Sequence, residues 1–245
     1  GYQAMYSNTT GCYNNAMGQQ AMYNNTTGKC NIAFGYQTMN NGVSGCDNFG
    51  AGYRSLQYNN GCWNTAIGYR ALRDNITGGH NVAFGCGALQ VNTTGSTNFA
   101  AMNGALGGNT TGAGNVGIGS CALASNTTAG YNVGIGYKAG YLNTTGCDNL
   151  ALGYAALMCN TTGCRNIALG ADTLCCSLSG DNNFAAGYRA LRYTWGGCHN
   201  NGIGVYALYC NTTGNHNTAI GQCALCGNTT GCTNTAIGCR ALYTG

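Results

Sequence analysis

Cysteine, histidine and aspartate are the residues of this sequence able to do nucleophilic, metal-binding or acid–base work, and their spacing leaves little of that chemistry possible. There are 17 cysteines, three histidines and five acidic residues, all of them aspartate. Cys223 and Cys226 make a lone Cys-x-x-Cys with no second pair at zinc-ribbon spacing, so a metal there lacks half its ligands. His199 and His216 lie 17 residues apart and His80 shares their phase, which reads as a surface column without further ligands around it. Three stretches match the dinucleotide fingerprint G-x-G-x-x-A, at Gly117 to Ala122, Gly134 to Ala139 and Gly202 to Ala207. No helix pattern or suitably placed acid follows them, so they are glycines of a repeat. Asp47, Asp74, Asp148, Asp172 and Asp181 assemble no Ser/His/Asp constellation. The sequence predicts no catalytic residues, no metal and no cofactor, and therefore not an enzyme.

What positions all these residues is an internal period. An asparagine opens each N-x-A-x-G phrase at Asn14, Asn31, Asn48, Asn64, Asn81 and so on to Asn234, every 17 residues with one interval of 16. The short interval follows Asn48, where the usual Asn-Thr-Thr-Gly has shrunk to Asn59-Asn60-Gly61. A loop has lost a residue there without shifting the register. With the asparagine as position zero, position two is Ala or Gly, position four is Gly except at Met102, and position eight is mostly Leu. Positions one and three trade volume: Phe49 goes with Ala51 and Phe184 with Ala186, whereas Thr65 goes with Ile67 and Thr218 with Ile220. Side chains two apart share one space only in a strand.

These patterns predict an all-β chain, a parallel β-solenoid or β-roll of about 14 coils of 17 residues with two short strands per coil, forming a single repeat domain over residues 1–245. Stacked about 4.8 Å apart, such coils would span roughly 65 to 70 Å. Ile, Leu and Phe are expected in inner columns, the position-zero asparagines in an amide ladder, and the Asn-Thr-Thr-Gly glycine at positive φ in a turn. Both ends fall inside a repeat without caps, so a longer solenoid, or continuation by other molecules, is expected.

Composition narrows the setting. The chain has 43 glycines, no proline, 6% charged residues and a net charge of +4, too small and dispersed for a nucleic-acid partner. No apolar run of 18 residues predicts a membrane span. So many cysteines favour an oxidising, extracellular or surface location. Seven of them share position fifteen, which pairs Cys46 with Cys62 and Cys147 with Cys164 as candidate disulfides, and Cys159 with Cys176 at position ten. Cys159 can alternatively close its own turn to Cys164, and an odd total leaves one thiol over.

Other columns offer surfaces. Asn8, Asn25, Asn75, Asn92, Asn109, Asn126, Asn143, Asn160, Asn211 and Asn228 stand in N-x-T sequons at one turn position, where exposed turns would carry N-glycans in a eukaryotic secretory route. Tyr36, Tyr53 and Tyr69 follow one another at position five, a column able to meet sugar faces or a neighbouring molecule, or simply to stack within the chain. Thr93, Thr110, Thr127, Thr144 and Thr161 recur on successive coils, the kind of array an ice- or crystal-binding solenoid uses.

The phrases Asn64 to Gly68, Asn217 to Gly221 and Asn234 to Gly238, each Asn-Thr-Ala-Ile-Gly, resemble the head repeats of YadA-like trimeric autotransporter adhesins, and are similar to repeats of phage and viral fibre proteins. The resemblance runs through all the phrases, with departures in the 17-residue period, the inserted Asn-Thr-Thr-Gly and the abundant cysteine. It implies a parallel β-roll, three chains wound side by side, and binding to host surfaces or matrix. The expected function is an extracellular structural or adhesive fibre, self-associating as a trimer or an end-to-end filament, with a host surface or carbohydrate as partner. The alternative is an ice- or crystal-surface binder.

Overall fold

The computed structural model describes residues 1–244; Gly245, the last residue of the expected repeat domain, lies outside them. Contacts gather the chain into two compact units, residues 1–121 with 126–128, and residues 122–125 with those from Ala129 on. No composition shift marks the division, because both carry the same repeat. The first unit holds strands β1 (Asn15–Met17), β2 (Ile32–Phe34), β3 (Phe49–Ala51), β4 (Thr65–Ile67), β5 (Val82–Phe84), β6 (Phe99–Ala101) and β7 (Val116–Ile118). The second holds β8 (Val133–Ile135), β9 (Leu150–Leu152), β10 (Ile167–Leu169), β11 (Phe184–Ala186), β12 (Asn201–Ile203), β13 (Thr218–Ile220) and β14 (Thr235–Ile237). Within each unit the strands pair in chain order, parallel and position on position: Phe49 faces Thr65, and Ile220 faces Ile237. Each unit is thus a parallel β-solenoid whose coil is the 17-residue repeat, with no helix among the described residues.

One strand per coil forms, in place of the expected two. The segment around positions six to eight still stacks coil on coil, the Leu72 N–H donating to the Ala88 oxygen at 2.9 Å and Leu89 to Ala105 at 3.0 Å. Its backbone is left-handed at positions six and eight, with φ of 56° at Arg70, 49° at Leu72 and 50° at Leu89. That conformation costs an ordinary residue about 1–2 kcal/mol, and here it turns each N–H along the stack while sending the leucine inward. The glycine expectation is corrected too. Positive φ falls at position four, as in Gly68 at 135°, where a Cβ would also meet the Gly85 oxygen at 2.5 Å. The Asn-Thr-Thr-Gly glycines have ordinary φ, and Gly78 is needed because a Cβ would strike the Gly95 carbonyl of the next coil.

The core is a set of narrow columns. Leu72, Leu89 and Leu106 in the first unit, and Leu174, Leu191 and Leu208 in the second, are completely buried, together with the alanines at positions two and seven. Leu72 over Leu89 is therefore the dry column the period predicts. Small residues at position two make room for the leucine of the preceding coil: a Cβ on Gly202 would lie 3.2 Å from the Leu191 side chain. The large residues at positions one and three, expected inside, face outward instead. In each interior strand only the central residue is fully buried, because a 17-residue coil has no room for a second large side chain beside leucine.

Two asparagine ladders close the interior. Asn183 Nδ2 donates to Asn166 Oδ1 at 3.1 Å and to the Gly197 oxygen at 2.8 Å, while its own Oδ1 accepts the Asn200 N–H at 3.0 Å. This is the amide ladder expected at position zero. The second ladder, at position eleven, was legible only as turns: Asn92 Nδ2 donates to Asn75 Oδ1 at 2.7 Å and to the Gly95 oxygen at 2.8 Å. Where Gly42 interrupts it, a void of about 10 Å³ opens among Asn25, Asn31, Asn48 and Asn59. Where Ser177 interrupts it, Asn160 Oδ1 and Ser177 Oγ are buried without a partner among the described residues. Ser177→Asn should therefore raise the unfolding free energy by about 1–2 kcal/mol, read as a higher urea midpoint; an unchanged midpoint would show that the ladder does not extend through this coil.

Candidate functional site

The outward strand face carries the large apolar side chains of the repeat. Position three places Ile67 and Phe84 on β4 and β5 of the first unit, and Leu152, Ile203 and Ile220 on β9, β12 and β13 of the second, all 38–44% exposed. Position one lies beside it on the same side of the strand. The volume exchange between the two positions is real packing on this outer face: the Phe34 ring meets Phe49 edge-on at 6.2 Å, and Phe84 meets Phe99 at 6.2 Å. Repetition thus places an apolar sheet surface in water on each unit, a feature that marks interaction sites.

The tyrosines of position five stack on one another. Tyr36 and Tyr53 stack at 5.3 Å, and Tyr53 and Tyr69 at 5.2 Å. Arg54 and Arg70 guanidinium groups lie 5.1 and 4.9 Å from the Tyr53 and Tyr69 centroids. Arg54 is fixed in turn by a glutamine ladder, its Nε donating to Gln37 Oε1 at 2.8 Å and Gln37 Nε2 to Gln20 Oε1 at 2.8 Å. Tyr53 thus has a ring over each side, which fits the intrachain stacking reading, while Tyr36 and Tyr69 end the stack with a tyrosine on one side each.

Threonines of the turn are similarly committed. Thr93 Oγ1 donates to the Thr110 oxygen at 2.9 Å and Thr144 Oγ1 to the Thr161 oxygen at 2.9 Å. Their hydroxyl protons point along the stack, not outward to a crystal surface. The sequon asparagines fare the same way. Asn25, Asn75, Asn92, Asn109, Asn126, Asn143, Asn160, Asn211 and Asn228 are buried, and Asn8, partly buried, donates its Nδ2 to the Gly11 oxygen at 3.0 Å. A glycan replaces a hydrogen on that nitrogen, and in the ladder no space is left for it. The expected exposure of these asparagines is thereby corrected: the structure buries them in the ladder.

Cysteine has a role the spacing alone hid. At position fifteen the side chain accepts the backbone N–H of the same position one coil earlier. Cys62 Sγ takes the Cys46 N–H at 3.3 Å, Asp181 Oδ1 the Cys164 N–H at 2.7 Å, Cys198 Sγ the Asp181 N–H at 3.3 Å and Asn215 Oδ1 the Cys198 N–H at 2.7 Å. Cys, Asp and Asn share this column because each is a short acceptor. The candidate pairs are brought together, Cys147 Sγ lying 3.2 Å from Cys164 Sγ and the Cys159 thiol against Cys176, but all seventeen cysteines are free thiols.

Burial and neighbouring thiols hold two of them protonated well above the ordinary range. Cys147 is pushed up to about 11, first by its hydrogen bond with Cys164 and then by burial; Cys175 is pushed up to about 12 by burial and then by Cys176. The thiolate is the reactive form. At pH 8, iodoacetamide should label Cys147 and Cys175 about 100-fold more slowly in the folded chain than in urea. Peptide mass spectrometry checks this, and uniform labelling of all cysteines at one rate would contradict it.

The histidines stack on rings of the neighbouring coil: His199 on His216 at 4.8 Å, and His80 on Trp63 at 4.7 Å. No three His, Cys, Asp or Glu side chains converge on a metal-sized site among the described residues. Asp74 pairs with Arg73, and Asp172 with Arg189 at 3.3 Å. No helix among the described residues is long and apolar enough to cross a membrane. No family model, curated protein or solved structure matches the chain.

Proposed function

We propose that the protein is a non-catalytic structural or adhesive fibre protein of the extracellular space or of a cell or virion surface, which self-associates through its outward strand face. The observation that carries this reading is the row of large apolar side chains at positions one and three, half exposed on successive coils. An aqueous monomer gains nothing from such a face, whereas a second copy laid against it removes both from water at about 25 cal/mol per Å² of apolar surface. The adhesin-like phrases favour a trimer, and an end-to-end filament is the other arrangement the repeat permits. In an oxidising setting the adjacent Cys147 and Cys164 thiols would close into a coil-to-coil disulfide. The ice- or crystal-binding alternative draws less support, because the turn threonines spend their hydroxyl protons within the stack.

Sedimentation of a Leu152→Lys, Leu169→Lys variant tests the reading. Both residues stand at position three of neighbouring strands, and burying two ammonium groups in an apolar interface costs several kcal/mol. The parent chain should sediment as a multimer and the variant at its monomer mass of 25.1 kDa, with its unfolding midpoint unchanged. A Thr145→Lys, Thr162→Lys control, on the exposed turn column, should associate like the parent. Identical sedimentation of parent and face variant would refute the proposal.

A further inference from the structure

The shortened coil is the one break in the 17-residue register, and it leaves more than a shorter turn. In regular coils the N–H groups of both turn threonines donate to a backbone carbonyl of the next coil, as Thr93 and Thr94 do to the Thr110 oxygen at 2.8 and 3.3 Å. At the short coil a side chain takes over that carbonyl's part. Asn60 Oδ1 accepts the Val43 N–H at 2.8 Å and the Ser44 N–H at 3.3 Å, so the stack continues while the backbone is one residue shorter.

A groove of about 360 Å³ lies over this turn, lined by Asn41, Tyr58, Asn60, Asp74, Ile76 and Thr93. That size falls in the lower part of the small-molecule range, roughly 300–1,000 Å³. Tyr58 and Ile76 are 43% and 48% exposed, giving the groove an aromatic and an aliphatic wall. Unlike Tyr53, Tyr58 has no ring or guanidinium stacked on it among the described residues. Asp74 is held by Arg73, whose Nε donates to Oδ1 at 2.7 Å, so the carboxylate is oriented and its charge compensated. Asn41 Oδ1 already accepts Asn24 Nδ2 at 2.9 Å, which leaves its NH₂ as the donor for a ligand. Thr93 has given its proton to the Thr110 oxygen and presents an acceptor.

We propose that this groove is a binding subsite for a neutral, hexose-sized saccharide unit. A pyranose has an apolar C–H face that suits a tyrosine ring and vicinal hydroxyls that bond a carboxylate and an amide together. A charged ligand finds no uncompensated partner here, and a purely apolar one would offer no acceptor to the NH₂ groups of Asn41 and Asn60. The assignment stands apart from self-association, since the groove uses positions ten and twelve and the apolar face uses positions one and three.

Saturation-transfer NMR on the full chain tests it, with the methyl glycosides of glucose, galactose, mannose and N-acetylglucosamine as probes. At least one should receive saturation at its ring C–H protons. Tyr58→Ala should weaken that transfer about tenfold, and so should inserting a threonine after Asn60 to restore the regular turn and fill the groove. Tyr36→Ala, in the stacked column, should leave it unchanged. No transfer to any of the four, or transfer that survives the insertion, overturns the proposal, and neither outcome touches the sedimentation result.

Discussion

Asn183→Ala should lower the unfolding free energy by about 4 kcal/mol, because it removes one rung from a buried ladder and strands the groups on either side. The Gly197 oxygen loses the Asn183 Nδ2 donor at 2.8 Å, and the Asn200 N–H loses its Oδ1 acceptor at 3.0 Å. Asn183 and Asn200 are both buried, so water does not replace what is lost, and each stranded group costs about 1–3 kcal/mol. Asn183→Asp separates the two halves of the rung. It keeps the acceptor but puts a carboxylate against the Gly197 carbonyl with no cation beside it, which raises its folded-state pKa above the unfolded value. The aspartate variant should then be closest to the parent in acid, below the unfolded carboxylate pKa, and lose stability as pH rises through the raised value. Urea unfolding at several pH values reads both variants. Parent-like midpoints would mean that the ladder is incidental to the stack.

Leu191→Ala should cost about 3 kcal/mol, within the usual span for a buried leucine, and Ile220→Ala less than about 1 kcal/mol. Leu191 is completely buried and packs on the small position-two residue Gly202, whereas Ile220 is 39% exposed on the strand face. The two residues were equivalent as hydrophobic columns of the repeat, and the expectation that both would be dry fails for Ile220. Chemical denaturation of dilute, dissociated protein separates them. Equal losses would place Ile220 in the core and remove the apolar face from the surface.

The parts of this fold that could be read from the sequence are those in which side-chain identity recurs in phase. The period, the parallel stacking, the position-zero amide ladder and the leucine column all follow from which residue returns every 17 positions. The direction of the strand was not readable. Volume exchange between Phe49 and Ala51 shows that positions one and three share a space, and says nothing of whether it lies inside the coil or outside. The left-handed segment was hidden for a different reason. Arg70 and Leu72 adopt positive φ without any glycine or asparagine to signal it, because hydrogen bonds to the coils on either side and burial of leucine outweigh the local cost.

Misreading of the site residues has the same origin. Asn-x-Thr at position eleven carries both a sequon and a ladder rung, and only burial tells them apart. Cysteine at position fifteen stands where Asp181 and Asn215 also stand, a substitution pattern that fits a short acceptor as well as a disulfide. Tyr58 carries no recurring signal, because Asn41 and Asp74 hold the same position ten on the coils beside it. Its groove lies at the turn that is one residue short, and a deletion in a loop is legible as a shift in spacing long before its consequence for neighbouring side chains can be seen.

Hydroxyl-radical footprinting of native material tests most directly whether the apolar face is an interface. Leu152, Ile203 and Ile220 are 39–44% exposed in the single chain, much as Tyr137 is on its own column at 45%. If copies associate through the strand face, oxidation of the three aliphatic side chains should fall at least about fivefold when the protein is concentrated from dissociating to associating conditions, in keeping with their removal from water, while Tyr137 stays as reactive as before. Labelling of Leu152, Ile203 and Ile220 at an undiminished rate in concentrated native material would contradict the account.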